Sequence, residues 1–229
     1  MMRKLLVAVG FALAATGANA NVVSSGNLAI TGASPVNIVA PNSWGPISII
    51  PDGGYKSGIS GKLISNVTGT FTATYLGQVA SFANFFLAGG DSLIGDRLNG
   101  GRPMKGLGIG GIGNTISTDV TAGDAVDFAF SRDNNGDNVA DLPLVRNGDD
   151  LQARRGILFF LNTYNLPDAS GKPFDFLIGF NDAAPDNDYD DYVVGANVSA
   201  VPVPAALPLL ASAFGLFGLG RRKGKAKAV

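Results

Sequence analysis

The chain has 229 residues, 46% hydrophobic and only 15% charged, with 32 Gly, 12 Pro and a formal net charge of −1. That length suits one domain with a real core, and the absence of Cys and His excludes disulfide frameworks, zinc sites of the usual kind, haem on a His or Cys ligand, and Ser-His or Cys-His catalysis. Glu is absent as well; all 18 acidic residues are Asp, so paired-carboxylate hydrolysis survives only in an all-Asp form.

The N-terminus has a basic start, Arg3-Lys4, then an apolar stretch from Leu5 to Ala15, then Ala18-Asn19-Ala20. This is the pattern of a secretory signal peptide over 1–20, cleaved after the small residues Ala18 and Ala20 by a signal peptidase. The mature chain is expected to begin at Asn21.

From 21 to 200 the reading is β almost throughout. Ile47–Ile50 and Ile157–Leu161 are apolar pieces that suit strands buried on both faces. Thr70 to Tyr75 alternates, with Phe71, Ala73 and Tyr75 on one face. Val126, Phe128 and Phe130 share a side, and Phe174, Phe176, Ile178 and Phe180 do the same in a later run, ahead of a final strand at Tyr192 to Ala196. Gly, Asn, Asp and Pro clusters interrupt these runs every ten or so residues, and no segment holds a 3.6-residue apolar period beyond a turn or two. The expected fold is all-β: a single β-sandwich, jelly-roll-like, flanked by an N-terminal signal helix and a C-terminal transmembrane helix.

This 21–200 domain carries ten Lys/Arg against eighteen Asp, a net charge of −8. Such a balance argues against nucleic acid and for cations. Gly108 to Gly113 formally matches G-x-G-x-x-G, but the β-like Asn114-Thr115-Ile116 that follows gives no helix N-terminus for a pyrophosphate. It reads as a Gly-rich loop.

Two segments carry possible metal chemistry. Asp133, Asn135, Asp137 and Asp141 place oxygens at positions 1, 3, 5 and 9 of a loop, with the Val139 carbonyl at position 7, which is the spacing by which a tight loop wraps Ca²⁺. The loop resembles the D-x-N-x-D calcium loops of EF-hand, dockerin and thrombospondin-like modules. It departs from them in having Asn138 for the turn Gly and Leu144 for the bidentate acid, for which Asp149 or Asp150 is the available substitute. The other reading is an ordinary Asx-rich turn. Further on, Asp182, Asp186, Asp188, Asp190 and Asp191 fall within ten residues, close enough to repel strongly unless solvated or neutralised by a hard cation. This stretch resembles the Asp-rich endings of bacterial surface β-domains just ahead of their anchors; its alternative is a metal-free acidic turn. Ca²⁺ is the expected cofactor at both places.

The C-terminal 201–229 opens with Val201-Pro202-Val203-Pro204-Ala205, continues without a charge to Gly220, and ends in a basic tail, 221–229, containing Arg221-Arg222-Lys223. Twenty helical residues span about 30 Å, the thickness of a bilayer core, and the basic tail belongs on the cytoplasmic side. The Pro-containing boundary, apolar span 201–220 and Arg-rich tail resemble the PEP-CTERM sorting signal of exported Gram-negative bacterial proteins, with Val203 standing where the name-giving motif has Glu. The resemblance implies processing by an exosortase-like membrane enzyme near the Pro motif, a transient inner-membrane anchor, and final residence at the cell surface or in the extracellular matrix, in association with exopolysaccharide.

These readings converge on an exported, envelope-sorted, non-enzymatic β-sandwich with a structural or adhesive role. The alternative is a carbohydrate-binding module using Trp44, Tyr55 and Tyr164 as stacking platforms. A remoter one is an all-Asp glycoside hydrolase, which needs two Asp facing one cleft at ~5–10 Å.

Overall fold

Alternating apolar side chains decide which segments become strands. In the computed structural model, which describes residues 21–38, 55–78, 80, 83–95, 98–99, 102–103, 111–133, 139–141, 143–149, 156–182 and 188–202, Phe71, Ala73 and Tyr75 point into one core. They lie on strand β4 (Gly69–Gly77). The other strands of the same large sheet are β1 (Val22–Ser25), β2 (Leu28–Asn37), β3 (Ser57–Ser65), β9 (Thr115–Val120), β12 (Gly156–Leu161), β13 (Phe176–Asn181) and β14 (Tyr192–Ala200). Their spatial order is β1-β2-β3-β12-β13-β14-β4-β9, antiparallel at every neighbouring pair.

A smaller antiparallel sheet has the order β11-β10-β5-β6. It is built from β5 (Ala83–Ala88), β6 (Asp91–Ile94), β10 (Phe128–Asp133) and β11 (Val145–Arg146). A two-residue pair, β7 (Leu98–Asn99) and β8 (Arg102–Pro103), stands apart. The described residues contain no helix, and none is therefore long and apolar enough to cross a membrane. The signal segment with Ala18 and Ala20, the run Ile47–Ile50, Trp44, and the sorting segment beyond Pro202 with Pro204, Ala205, Arg221, Arg222 and Lys223 lie outside the described residues.

The two sheets meet across aromatic side chains. Phe130 of β10 stacks on Phe180 of β13 at 4.9 Å and meets Tyr192 of β14 edge-on at 5.8 Å, while Phe128 stacks on Phe71 at 6.2 Å. This is a β-sandwich whose inner faces interdigitate.

The centre of the large sheet is buried on its outer face too. Leu158, Phe160, Leu177 and Val193 point away from the first core into a second cluster, closed over by Ile38, Tyr55, Leu166, Phe174 and Tyr189. Two-sided burial explains why β12 reads as a continuous apolar run rather than an alternating one. It also corrects one expectation: Phe174 does not share a face with Phe176, Ile178 and Phe180. The strand begins only at Phe176. Phe174 belongs to the preceding loop, where its N–H donates to the Leu166 carbonyl at 3.0 Å. Its ring lies flat on Gly195, where any Cβ would come within 2.6 Å of it.

One side chain adds to the backbone bonds that join β3 to the segment before β10, where the Val126 N–H donates to the Leu63 carbonyl at 3.1 Å. Asn147, just after β11, accepts from the Leu63 N–H at 2.8 Å and donates to the carbonyls of Leu63 at 2.7 Å and Val126 at 2.8 Å. Asn147→Ala takes the amide partner from the Leu63 N–H and the Val126 carbonyl, while the Leu63 carbonyl keeps its bond from the Val126 N–H, at ~1–3 kcal/mol for each group left buried and unsatisfied. We expect a total loss of about 2–4 kcal/mol, read as a lower midpoint in urea at unchanged slope; a loss below about 0.5 kcal/mol would mean that water replaces the amide.

Candidate functional site

The chain leaves β13 at Asn181 and re-enters the sheet at Tyr192, so Asp182 and residues 188–191 are held at one end of the sandwich by two adjacent central strands. Tyr189 fixes the approach to β14. This residue adopts a left-handed φ of 58°, unusual for an aromatic side chain, and its ring is anchored in the outer apolar cluster. Its carbonyl passes directly over Gly179 of β13, where a Cβ would come within 2.3 Å of the Tyr189 oxygen. Only glycine permits so close a crossing.

The result is a buried acidic pocket. Carboxylate oxygens of Asp188, Asp190 and Asp191 lie within 4.8 Å of one another, and all three residues are buried, Asp190 completely. Asp182 joins them: its N–H donates to Asp191 Oδ2 at 2.7 Å. Burial first, then the charge of Asp182, then those of Asp188 and Asp190, push the Asp191 carboxyl up to about 9, against the lowering effect of the Asp182 N–H.

The small sheet supplies the pocket's other wall. Asn84 of β5, fully buried, donates through Nδ2 to Asp182 Oδ2 at 3.1 Å and to the Asp191 carbonyl at 2.8 Å. Its register partner on β10, Arg132, donates from Nη1 to the Asp182 carbonyl at 3.3 Å. Neither is signalled by the sequence. Asn84 precedes Phe85-Phe86-Leu87 and reads as the polar end of an apolar run, and the partner it needs lies 98 positions away.

The two Asp-rich segments are not brought to one place by their described residues. In β10 the side chains of Phe128, Phe130 and Arg132 face the large sheet, so alternation turns Ser131 and Asp133 to the opposite side of the small sheet. There Asp133 is buried, the Ser131 hydroxyl donates to the Asp141 carbonyl, and the Asp141 N–H donates to the Arg132 carbonyl at 3.0 Å. Val139 is exposed. Asp149 accepts from the Arg146 N–H at 2.6 Å and so caps its own turn. Asn135, Asp137, Asp150 and Asp186 lie outside the described residues.

Of the aromatic platforms, Tyr164 is exposed, but Tyr55 is buried in the outer cluster with its ring 5.2 Å from that of Tyr164. Burial pushes its hydroxyl up to about 12. Tyr55 therefore supports Tyr164 rather than offering a face of its own.

Chemically, carboxylates this close in a site shielded from water have two stable states. One holds protons among them; the other holds a hard cation with oxygen ligands. Comparison with family models, with curated proteins and with solved structures found no match to this chain.

Proposed function

We propose that the protein is an exported, non-enzymatic β-sandwich, stabilised by calcium and sorted to the cell surface or extracellular matrix, where its role is structural or adhesive. The observation that carries the calcium part is the pocket in which carboxylate oxygens of Asp188, Asp190 and Asp191 lie within 4.8 Å of one another, with Asp182 bonded to Asp191 beside them and all four at least nine-tenths buried. Burial also supports the non-enzymatic part, because the Asp191 carboxylate accepts from the Asp182 backbone N–H and the Asp182 carboxylate from the Asn84 amide, inside the fold. The second proposed calcium site is the loop of Asp133, Asn135, Asp137, Val139 and Asp141; the burial of Asp133 and the bond from the Ser131 hydroxyl to the Asp141 carbonyl support it. A jelly-roll-like winding of the two sheets is part of the same proposal.

Export rests on the signal-like 1–20 segment, and sorting rests on the PEP-CTERM resemblance of 201–229, with signal peptidase and an exosortase-like enzyme as processing partners and exopolysaccharide as the surrounding polymer. Intact-mass analysis of the secreted form is expected to show loss of Met1–Ala20 and of a C-terminal piece beginning near Val201. Retention of Arg221-Arg222-Lys223 would replace sorting with a plain tail anchor.

The calcium reading has a direct test. Extracellular sites of about 10⁻⁴–10⁻³ M fill at millimolar Ca²⁺, which stabilises by roughly 1–2 kcal/mol per site when free ion is ~10–20 times Kd. For a domain of this size that is a rise in melting temperature of about 2–8 °C over chelator, blunted by Asp188→Ala and little reproduced by Mg²⁺, which demands a rigid octahedral shell. Identical melting in chelator and calcium would leave the pocket as a protonated acidic cluster.

Carbohydrate binding is the second reading, favoured by exposed Tyr164 backed by the edge of Tyr55. Binding on a glycan array that is lost with Tyr164→Ala or Trp44→Ala would establish it.

A further inference from the structure

We infer that Asn84 is a ligand of the divalent cation held by Asp182, Asp188, Asp190 and Asp191, and that the ion fastens the small sheet to the large one. The inference rests on the calcium reading above and adds a residue from the opposite sheet, far away in sequence. Asp182 follows β13 and Asp188–Asp191 precede β14, so the carboxylates belong to the large sheet. Asn84 belongs to β5 of the small sheet, and its side chain is directed into the pocket by two hydrogen bonds from Nδ2.

Those bonds fix which way the amide points. Reversed, it would set Oδ1 against the Asp182 carboxylate and the Asp191 carbonyl, acceptor against acceptor. With Nδ2 so committed, Oδ1 sits on the same planar amide, fully buried, and receives no hydrogen bond among the described residues. A buried amide carbonyl without a donor is costly. Ca²⁺ accepts Asn carbonyl oxygens alongside carboxylates and needs 6–8 oxygens in all. An ion there would meet the orphaned oxygen and the crowded carboxylates together. It would also join β5 to β13 and β14 at the end of the sandwich.

The test uses the full chain, stripped with chelator and titrated with CaCl₂ by calorimetry, with melting followed in parallel. Asn84→Ala should weaken calcium binding about 10-fold or more, in the range seen when groups around a metal are removed. Asn84→Asp places a further carboxylate at the same point. It should melt below wild type in chelator and show a larger rise on adding calcium. Should Asn84→Ala fail to fold, Asn84→Asp decides alone: an equal loss of melting temperature in chelator and in calcium overturns the inference. Wild-type calcium affinity in the variants overturns it too, while leaving the calcium reading standing. Absence of calcium binding by the wild type overturns both.

Discussion

In chelator, the protein is expected to become more stable when acidified from about pH 8 to about pH 5, the reverse of ordinary acid denaturation. Asp191 titrates near 3.8 in an unfolded chain, but burial and the charges of Asp182, Asp188 and Asp190 raise it to about 9 in the fold. Between those values the folded state holds a proton that the unfolded state has released. The resulting stabilisation is complete below the unfolded pKa and is lost as pH climbs through the folded one, at up to ~1.4 kcal/mol per pH unit. Denaturant unfolding in chelator at a series of pH values measures the slope, and Asp191→Asn should flatten it. Saturating calcium should flatten or invert it, because the ion binds only deprotonated carboxylates. A midpoint that falls on acidification from pH 8, in chelator, would show that the pocket carries its charge without penalty.

The second large effect lies in the core between the sheets. Phe130 is fully buried against Phe180, Phe86 at 5.0 Å and Tyr192. Phe130→Ala removes a ring that four others meet, those of Phe86, Phe128, Phe180 and Tyr192, and leaves a void between the sheets. We expect a loss of about 3–5 kcal/mol, or roughly 6–20 °C in melting temperature, with Phe130→Leu costing much less because it keeps most of the volume. A loss under about 1 kcal/mol would place the weight of the sandwich in the outer cluster instead.

Much of this fold is legible in the sequence where one physical rule acts alone. Phe71, Ala73 and Tyr75 alternate against three Thr, and β4 follows; Ile157 to Phe160 has no polar interruption, and the strand is buried on both faces. Phe174 fails because its alternation with Phe176 continues across Asp175, where the chain is held in a loop by bonds to Asn197 and Ala196. The strands β1, β2 and β3 are rich in Ser, Gly and Ala and half exposed, so no apolar period marks them. The acidic pocket is visible as a count of Asp because one segment supplies most of it. Its burial is invisible, since that depends on β5 and β10 arriving from the other sheet, and Asn84 looks like an ordinary polar residue until they do.

The place of β14 sets the order of events during folding. It is the last strand along the described chain, yet it lies inside the large sheet between β13 and β4, and Val198 pairs with Phe71 across more than a hundred residues of sequence. Until Tyr192–Ala200 has emerged, the sheet stays split into two halves with raw edges at β13 and β4, and the acidic pocket lacks the strand that anchors it. Closure on such distant contacts is slow. A chain emerging N-terminus first would thus remain pliable until Tyr192–Ala200 arrived, and would set only then.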